Sequence, residues 1–248
     1  HEGEIVLYAV QEQVQRVASD LGIDGSVYQG EEDYLQVNVS NVKGAKTDAV
    51  TDTRVKLESW RDDGTMVHRL TLVRRHDGGT SPYGFYNEPN HAWIRVLVPE
   101  GSVLRGITGN TKSAYAPLVD YAKESGVLRD ADLAALEATY KYDASRGVTT
   151  FEESGKTGFG FWLSTQPGDA SSVQLEYVVP ARNAGNEYRL VVERQPGLQI
   201  SEFEFDLRKD AKHILVAHEP KLTEWPDSWR YVSGLQRDLL ISLKLEQK

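Results

Sequence analysis

Between residues 157 and 197, apolar and polar side chains alternate through three runs, TGFGFWLST, SSVQLEYVV and EYRLVVE, separated by Gly, Pro, Asn and Asp. A period of two puts successive side chains on opposite faces. Each run therefore reads as a half-buried strand, and the three together as an antiparallel meander with one covered face. DYLQVNVSN, residues 33 to 41, alternates in the same way, Tyr34, Gln36 and Asn38 against Leu35, Val37 and Val39. Residues 50 to 60 and 65 to 74 flank Arg61-Asp62-Asp63-Gly64, where Asp-Gly predicts a hairpin. Residues 92 to 98 predict a strand that ends at the turn Pro99-Glu100-Gly101-Ser102. More strand is expected from Val148 onward, over 198–207, 213–219 and 239–247.

The period changes to that of a helix between Gln11 and Leu21, where Val14, Val17, Ala18 and Leu21 fall at i, i+3, i+4 and i+7 before Gly22. The run EIVLYAV before it is short and uniformly apolar, which predicts a buried strand. From Asn110 to Arg146 the segments APLVDYAKESG and DADLAALEATYKYD are rich in Ala, Leu, Glu and Lys, and predict two short helices, the second capped by Asp130. The pattern as a whole predicts a mostly β fold, an antiparallel β-sandwich of immunoglobulin-like general character. A strand-helix-strand element over 1–41, read as the end of a preceding unit, leads into a sandwich over 42–248 with a helical insert at 110–146.

Composition removes several classes of function. A chain of 248 residues can bury a core without cross-links, and with no cysteine it has neither disulfides, thiolate metal sites nor cysteine nucleophiles. The net charge of −9, with cations scattered singly, argues against a nucleic-acid partner. The one dense pair, Arg74 and Arg75, reads as a solvated strand end. No apolar run is long enough to cross a bilayer, so a membrane would be engaged only through a segment outside this chain.

Candidate chemistry is sparse. His68, His76 and His91, and separately His213 and His218, lack a compact metal spacing, and neither a metal nor a cofactor is expected. There is no GxSxG elbow, and Ser154-Gly155-Lys156-Thr157 reads as a turn entering a strand. Asn38, Asn41, Lys46 and Asp48 gather near Gly44, where such residues either bind a ligand or satisfy their own backbone. The loop SPYGFYNEPNH carries Tyr83, Phe85 and Tyr86, whose rings either stack on sugar or pack; Trp93 and Trp162, on strands, read as core. A rival reading pairs Asp33 with Glu31, Glu88 or Glu100 as the carboxylates of a glycan-processing hydrolase or transferase.

The ordered series DYLQVNVSNVKGAKTDA, HRLTLVRRH, HAWIRVLVPEGS, GKTGFGFWLSTQPG, VQLEYVVP and YRLVVERQPG, within a span from Glu4 to about Gly197, resembles the C-terminal part of a bacterial family. That family is known as domain of unknown function 4012. The resemblance implies the extracytoplasmic part of a membrane-anchored cell-envelope protein, with surface polysaccharide or another envelope protein as partner. It implies no activity. With the loop aromatics, it leads to the expectation of a binding or structural module at residues Asn38, Asn41, Lys46, Asp48, Tyr83, Phe85 and Tyr86.

Overall fold

The computed structural model describes residues 6–42, 44–62, 64–112, 123–124, 126–128, 130–180 and 186–247. In chain order these form α1 (Glu12–Asp20), β1 (Asp33–Asn41), β2 (Thr51–Asp62), β3 (Thr65–His76), β4 (Asn90–Pro99), β5 (Val103–Thr108), α2 (Ala131–Glu137), β6 (Lys141–Asp143) and β7 (Val148–Glu153). There follow β8 (Lys156–Thr165), β9 (Ala170–Val179), β10 (Glu187–Glu193), β11 (Ile200–Arg208), β12 (His213–Glu219), β13 (Thr223–Glu224), β14 (Ser228–Leu235) and β15 (Leu239–Gln247).

The strands make two sheets packed as a β-sandwich. One has the order β12-β15-β10-β1-β4-β8-β7-β6, the other β13-β14-β11-β2-β3-β9-β5. Two inner pairs, β1 with β10 and β2 with β11, run parallel, so the sheets are mixed rather than wholly antiparallel. Fifteen strands with parallel inner pairs also depart from the immunoglobulin pattern of seven or nine antiparallel ones. The expected meander is a second correction. Strands β8 and β10 lie in the first sheet and β9 in the second, so the chain crosses the sandwich twice between residues 157 and 197. Alternation reports which face of a strand is buried and is silent about its neighbours.

Leu35, Val37, Ile94, Val96, Phe159 and Phe161 of the first sheet meet Leu57, Leu70, Leu72, Leu175, Phe203 and Phe205 of the second in one buried cluster. Each contributes about 1.5–3 kcal/mol of burial. Strand β1 is integral to this core, paired with β10 on one side and β4 on the other, so the boundary expected after Asn41 does not separate it from the sandwich. The β2–β3 hairpin forms as expected, with Asp62 opposite Thr65 and Gly64 at φ 81°; Asp63 lies outside the described residues.

Of the apolar run expected as a buried strand, residues 6–10 form no strand, and Glu4 and Ile5 lie outside the described residues. Val6, Leu7, Tyr8 and Val10 are exposed, and Leu7 N–H bonds back to the Ile23 carbonyl at 2.7 Å. Helix α1 stands where its pattern put it, but Val14, Val17 and Leu21 face outward and only Ala18 is buried. Asp130 caps α2 by accepting from Leu133 N–H at 2.9 Å. The other expected helix, over 116–126, lies mostly outside the described residues.

The run GFGFW shows why glycine alternates with phenylalanine. Phe159 and Phe161 enter the core, while the opposite face at Gly158 is covered by the Phe151 ring and at Gly160 by the Trp93 ring. Trp93 and Trp162, expected in the core, instead lie half-buried on this outer face with ring centroids 5.1 Å apart, because Ala92, Ile94 and Phe161 occupy the inward positions. A Cβ at Gly158 would run into the Phe151 ring. Gly158→Ala is therefore expected to cost about 1–3 kcal/mol in denaturant titration. Gly106→Ala, whose Cβ would meet nothing within 4 Å, is the control, and equal losses would contradict the packing account.

Candidate functional site

The segments that follow β1 and β3 meet at one end of the sandwich. Asn41 closes β1 and turns its amide N–H groups onto the Ala45 carbonyl (2.6 Å) and the Thr47 hydroxyl (3.1 Å), folding the next segment into a single 3-10 turn over Thr47–Val50. Asn90, the first residue of β4, donates to the same hydroxyl at 2.9 Å and to Asp48 Oδ1 at 2.8 Å. Arg74 Nη2 donates to that oxygen at 2.6 Å. The guanidinium is 1% exposed, whereas the Asp48 side chain is 46% exposed. Burial works against the charge on Arg74, and Asp48 offsets that effect only in part.

This arrangement corrects the reading of Arg74 and Arg75 as one solvated pair. Adjacent strand residues face opposite ways, so Arg75 projects into solvent while Arg74 follows His68, Leu70 and Leu72 inward.

The loop over 77–89 lies against this turn and is held by its own polar groups. Asn87 Oδ1 accepts from Gly79 N–H (2.8 Å) and Ser81 N–H (3.0 Å), and its amide returns a bond to the Ser81 carbonyl at 2.8 Å. His76, fully buried, accepts from Gly78 N–H at Nδ1 and bonds the Glu88 carbonyl through Nε2 at 2.9 Å. On this frame Tyr83 and Phe85 stack at 5.6 Å, and Tyr86 meets Phe85 edge-on at 4.5 Å. Tyr83 is 60% and Phe85 44% exposed. Lys46 Nζ stands 6.0 Å from the Phe85 ring centre.

Asn41, Lys46, Asp48, Tyr83, Phe85 and Tyr86 thus share one end of the molecule. Asn38 does not join them. It sits on the outer face of the first sheet opposite Arg95, with its amide on Gln36 at 3.1 Å. Sequence reasoning missed Arg74, Asn90, Thr47 and Thr165, although the inward parity of Arg74 was legible from Leu70 and Leu72.

No protein-family model and no curated protein matches the chain. Among solved structures, it is similar to a Legionella pneumophila protein provisionally described as nutrient binding, with 7% identity, TM-score 0.39, and 86% of this chain and 71% of that one covered. It is also similar to an M1 zinc metallopeptidase from Deinococcus radiodurans, with 12% identity, TM-score 0.31, and coverage of 79% of this chain and 43% of that one.

A second polar constellation lies inside the sandwich. Asp33 Oδ2 accepts from His68 Nε2 at 2.7 Å and from the Tyr188 hydroxyl at 2.6 Å, and Ser59 Oγ meets His68 Nδ1 at 2.8 Å. Serine, histidine and aspartate are connected as in a nucleophilic relay. Ser59 and His68 are nevertheless fully buried between the sheets, so no substrate reaches the hydroxyl. Of the carboxylates in the rival reading, Asp33 is buried and committed to this network, and Glu88 and Glu100 flank the two ends of β4.

A cleft of about 750 Å³ lies between residues 22–29 and the outer face of β10, bordered by Val27, Tyr28, Arg189, Val191 and Leu240. Within and beside it Arg189 pairs with Glu32 at 3.3 Å, and Glu193 accepts from Tyr34 O–H and Tyr28 N–H. Among the described residues no His, Asp and Glu side chains converge as a metal site, and no helix is long and apolar enough to cross a membrane.

Proposed function

We propose that the chain is a saccharide-binding module, the extracytoplasmic part of a membrane-anchored bacterial envelope protein, with cell-surface glycan as its ligand. The observation that carries the reading is the exposed pair Tyr83 and Phe85, held on a loop pinned by Asn87 and set beside Lys46 and Asp48. Exposed rings cost solvation and need a rigid mount to be useful. Flat apolar faces flanked by a few polar groups are what a sugar ring requires, since its C–H face stacks while its hydroxyls bond at the rim. The envelope location rests on the sequence resemblance. The burial of Asp33, the carboxylate on which the hydrolytic reading turns, favours binding over hydrolysis.

Binding of the purified chain to a panel of bacterial surface glycans tests the reading. Saturable binding is expected, and Tyr83→Ala, Phe85→Ala and Tyr86→Ala together should weaken it at least tenfold, about the worth of two stacking contacts, with thermal stability retained. Failure of every glycan to bind would remove the proposal and favour an envelope protein as partner.

A further inference from the structure

Six buried side-chain polar atoms lack a hydrogen-bond partner among the described residues, and five of them belong to residues of the Asp48 cluster: Asn41 Oδ1, Arg74 Nε and Nη1, Asn90 Oδ1 and Thr165 Oγ1. Thr165 joins this group because it stands opposite Asn90 in the β4–β8 ladder. The sixth, Glu204 Oε1, is held by Lys56 at 2.8 Å in an ion pair elsewhere. A buried polar group left unpaired is costly, so five in one place mark where the protein expects outside hydrogen-bonding groups.

The kind of group follows from the inventory. Arg74 offers two donors, Asn41 and Asn90 offer two acceptors, and Thr165 offers either. A phosphate or carboxylate accepts only and leaves the amide oxygens unmet. An ammonium donates only and leaves the guanidinium unmet. Hydroxyl groups do both. Charge points the same way, because Arg74 and Asp48 neutralise each other at the floor of the site.

Asp48 connects this floor to the surface. Its Oδ1 is fixed by Arg74 and Asn90, while the half-exposed carboxylate lies in the turn that packs against the aromatic loop. We infer that the site takes an uncharged, polyhydroxylated saccharide. Asp48 accepts from its hydroxyls, the buried atoms of the cluster, out of direct reach of the ligand, complete their hydrogen bonds through water, and Arg74 acts as a positioning residue for Asp48. This inference rests on the saccharide-binding reading and narrows it.

The test uses the intact chain and matched neutral, uronic-acid and amino-sugar oligosaccharides, with O-methylated versions of the neutral ones, measured by calorimetry. Neutral ligands are expected to bind best. O-methylation, which preserves ring stacking and removes the donor, should weaken binding roughly 10- to 100-fold, the range of a charge-assisted hydrogen bond. Asp48→Asn should produce a loss of similar size with the Tyr83, Phe85 and Tyr86 dependence intact. Arg74→Lys should lower the preference for neutral over uronic ligands, which a purely structural arginine would leave unchanged. Equal binding of neutral, acidic and methylated sugars, still lost in the aromatic triple variant, would overturn this inference while leaving the saccharide-binding reading in place. No binding of any saccharide would overturn both. The unmodified protein carries the ligand comparison even if Asp48→Asn fails to fold.

Discussion

Asp33→Ala is expected to destabilise the protein by about 3–5 kcal/mol, the cost of leaving three buried hydrogen-bond donors without their acceptor. Asp33 is 6% exposed and accepts three hydrogen bonds, from Tyr34 N–H at 2.8 Å, His68 Nε2 and the Tyr188 hydroxyl. Alanine strands all three donors between the sheets, where water cannot replace the carboxylate. For a chain of this size that corresponds to a fall in Tm of about 6–20 °C. Asp33→Asn retains an oxygen acceptor and should lose less. Denaturant titration of the two variants is the check, and a loss below about 1 kcal/mol for alanine would show that the network contributes little.

The tyrosines give the second large effect. Burial, reinforced by Glu193, pushes the hydroxyl of Tyr34 far above the ordinary tyrosine range, and burial next to the Asp33 carboxylate does the same to Tyr177 and Tyr188. These groups keep their protons in the folded protein. The unfolded chain releases its own near pH 10. A folded value raised above the unfolded one gives stability that is complete below about pH 10 and is lost as pH rises beyond it. With three protons retained only by the folded state, the loss is about 4 kcal/mol per pH unit. Unfolding followed by circular dichroism at successive alkaline pH values should therefore coincide with the appearance of the last three equivalents of phenolate, those of Tyr34, Tyr177 and Tyr188. Ionisation of all twelve tyrosines in a protein that is still folded would count against the burial of these three rings.

Much of the architecture could be read from side-chain alternation, and the limits of that reading are physical. Strands β1, β3, β4 and β11 announce themselves because their apolar residues recur every second position. Strand β14 was missed because SWRYVSGL has only its two ends buried, and β5 because VLRGIT is an irregular edge with a register shift between Leu104 and Gly106. Which sheet a strand joins depends on partners far away in sequence, so β8, β9 and β10 looked like neighbours and are not. The candidate site divides in the same way. The turn formers around Asn41 and the rings around Phe85 were visible as local composition. Their meeting, and the floor made by Arg74, Asn90 and Thr165, depends on three strands brought together at one end of the sandwich.

The two parallel seams also bear on how the molecule is made. Asp33 lies opposite Leu190 and Arg54 opposite Glu202, so β1 and β2 emerge from the ribosome long before the strands that cover their free sides. Until β10 and β11 have been synthesised, each nascent sheet presents an open edge beside its most apolar strands, a surface that recruits other chains. Pairing across such sequence distances is slow. The growing polypeptide thus depends on whatever shields those edges during translation, and a ribosome stalled before residue 187 would release an aggregation-prone half-sandwich.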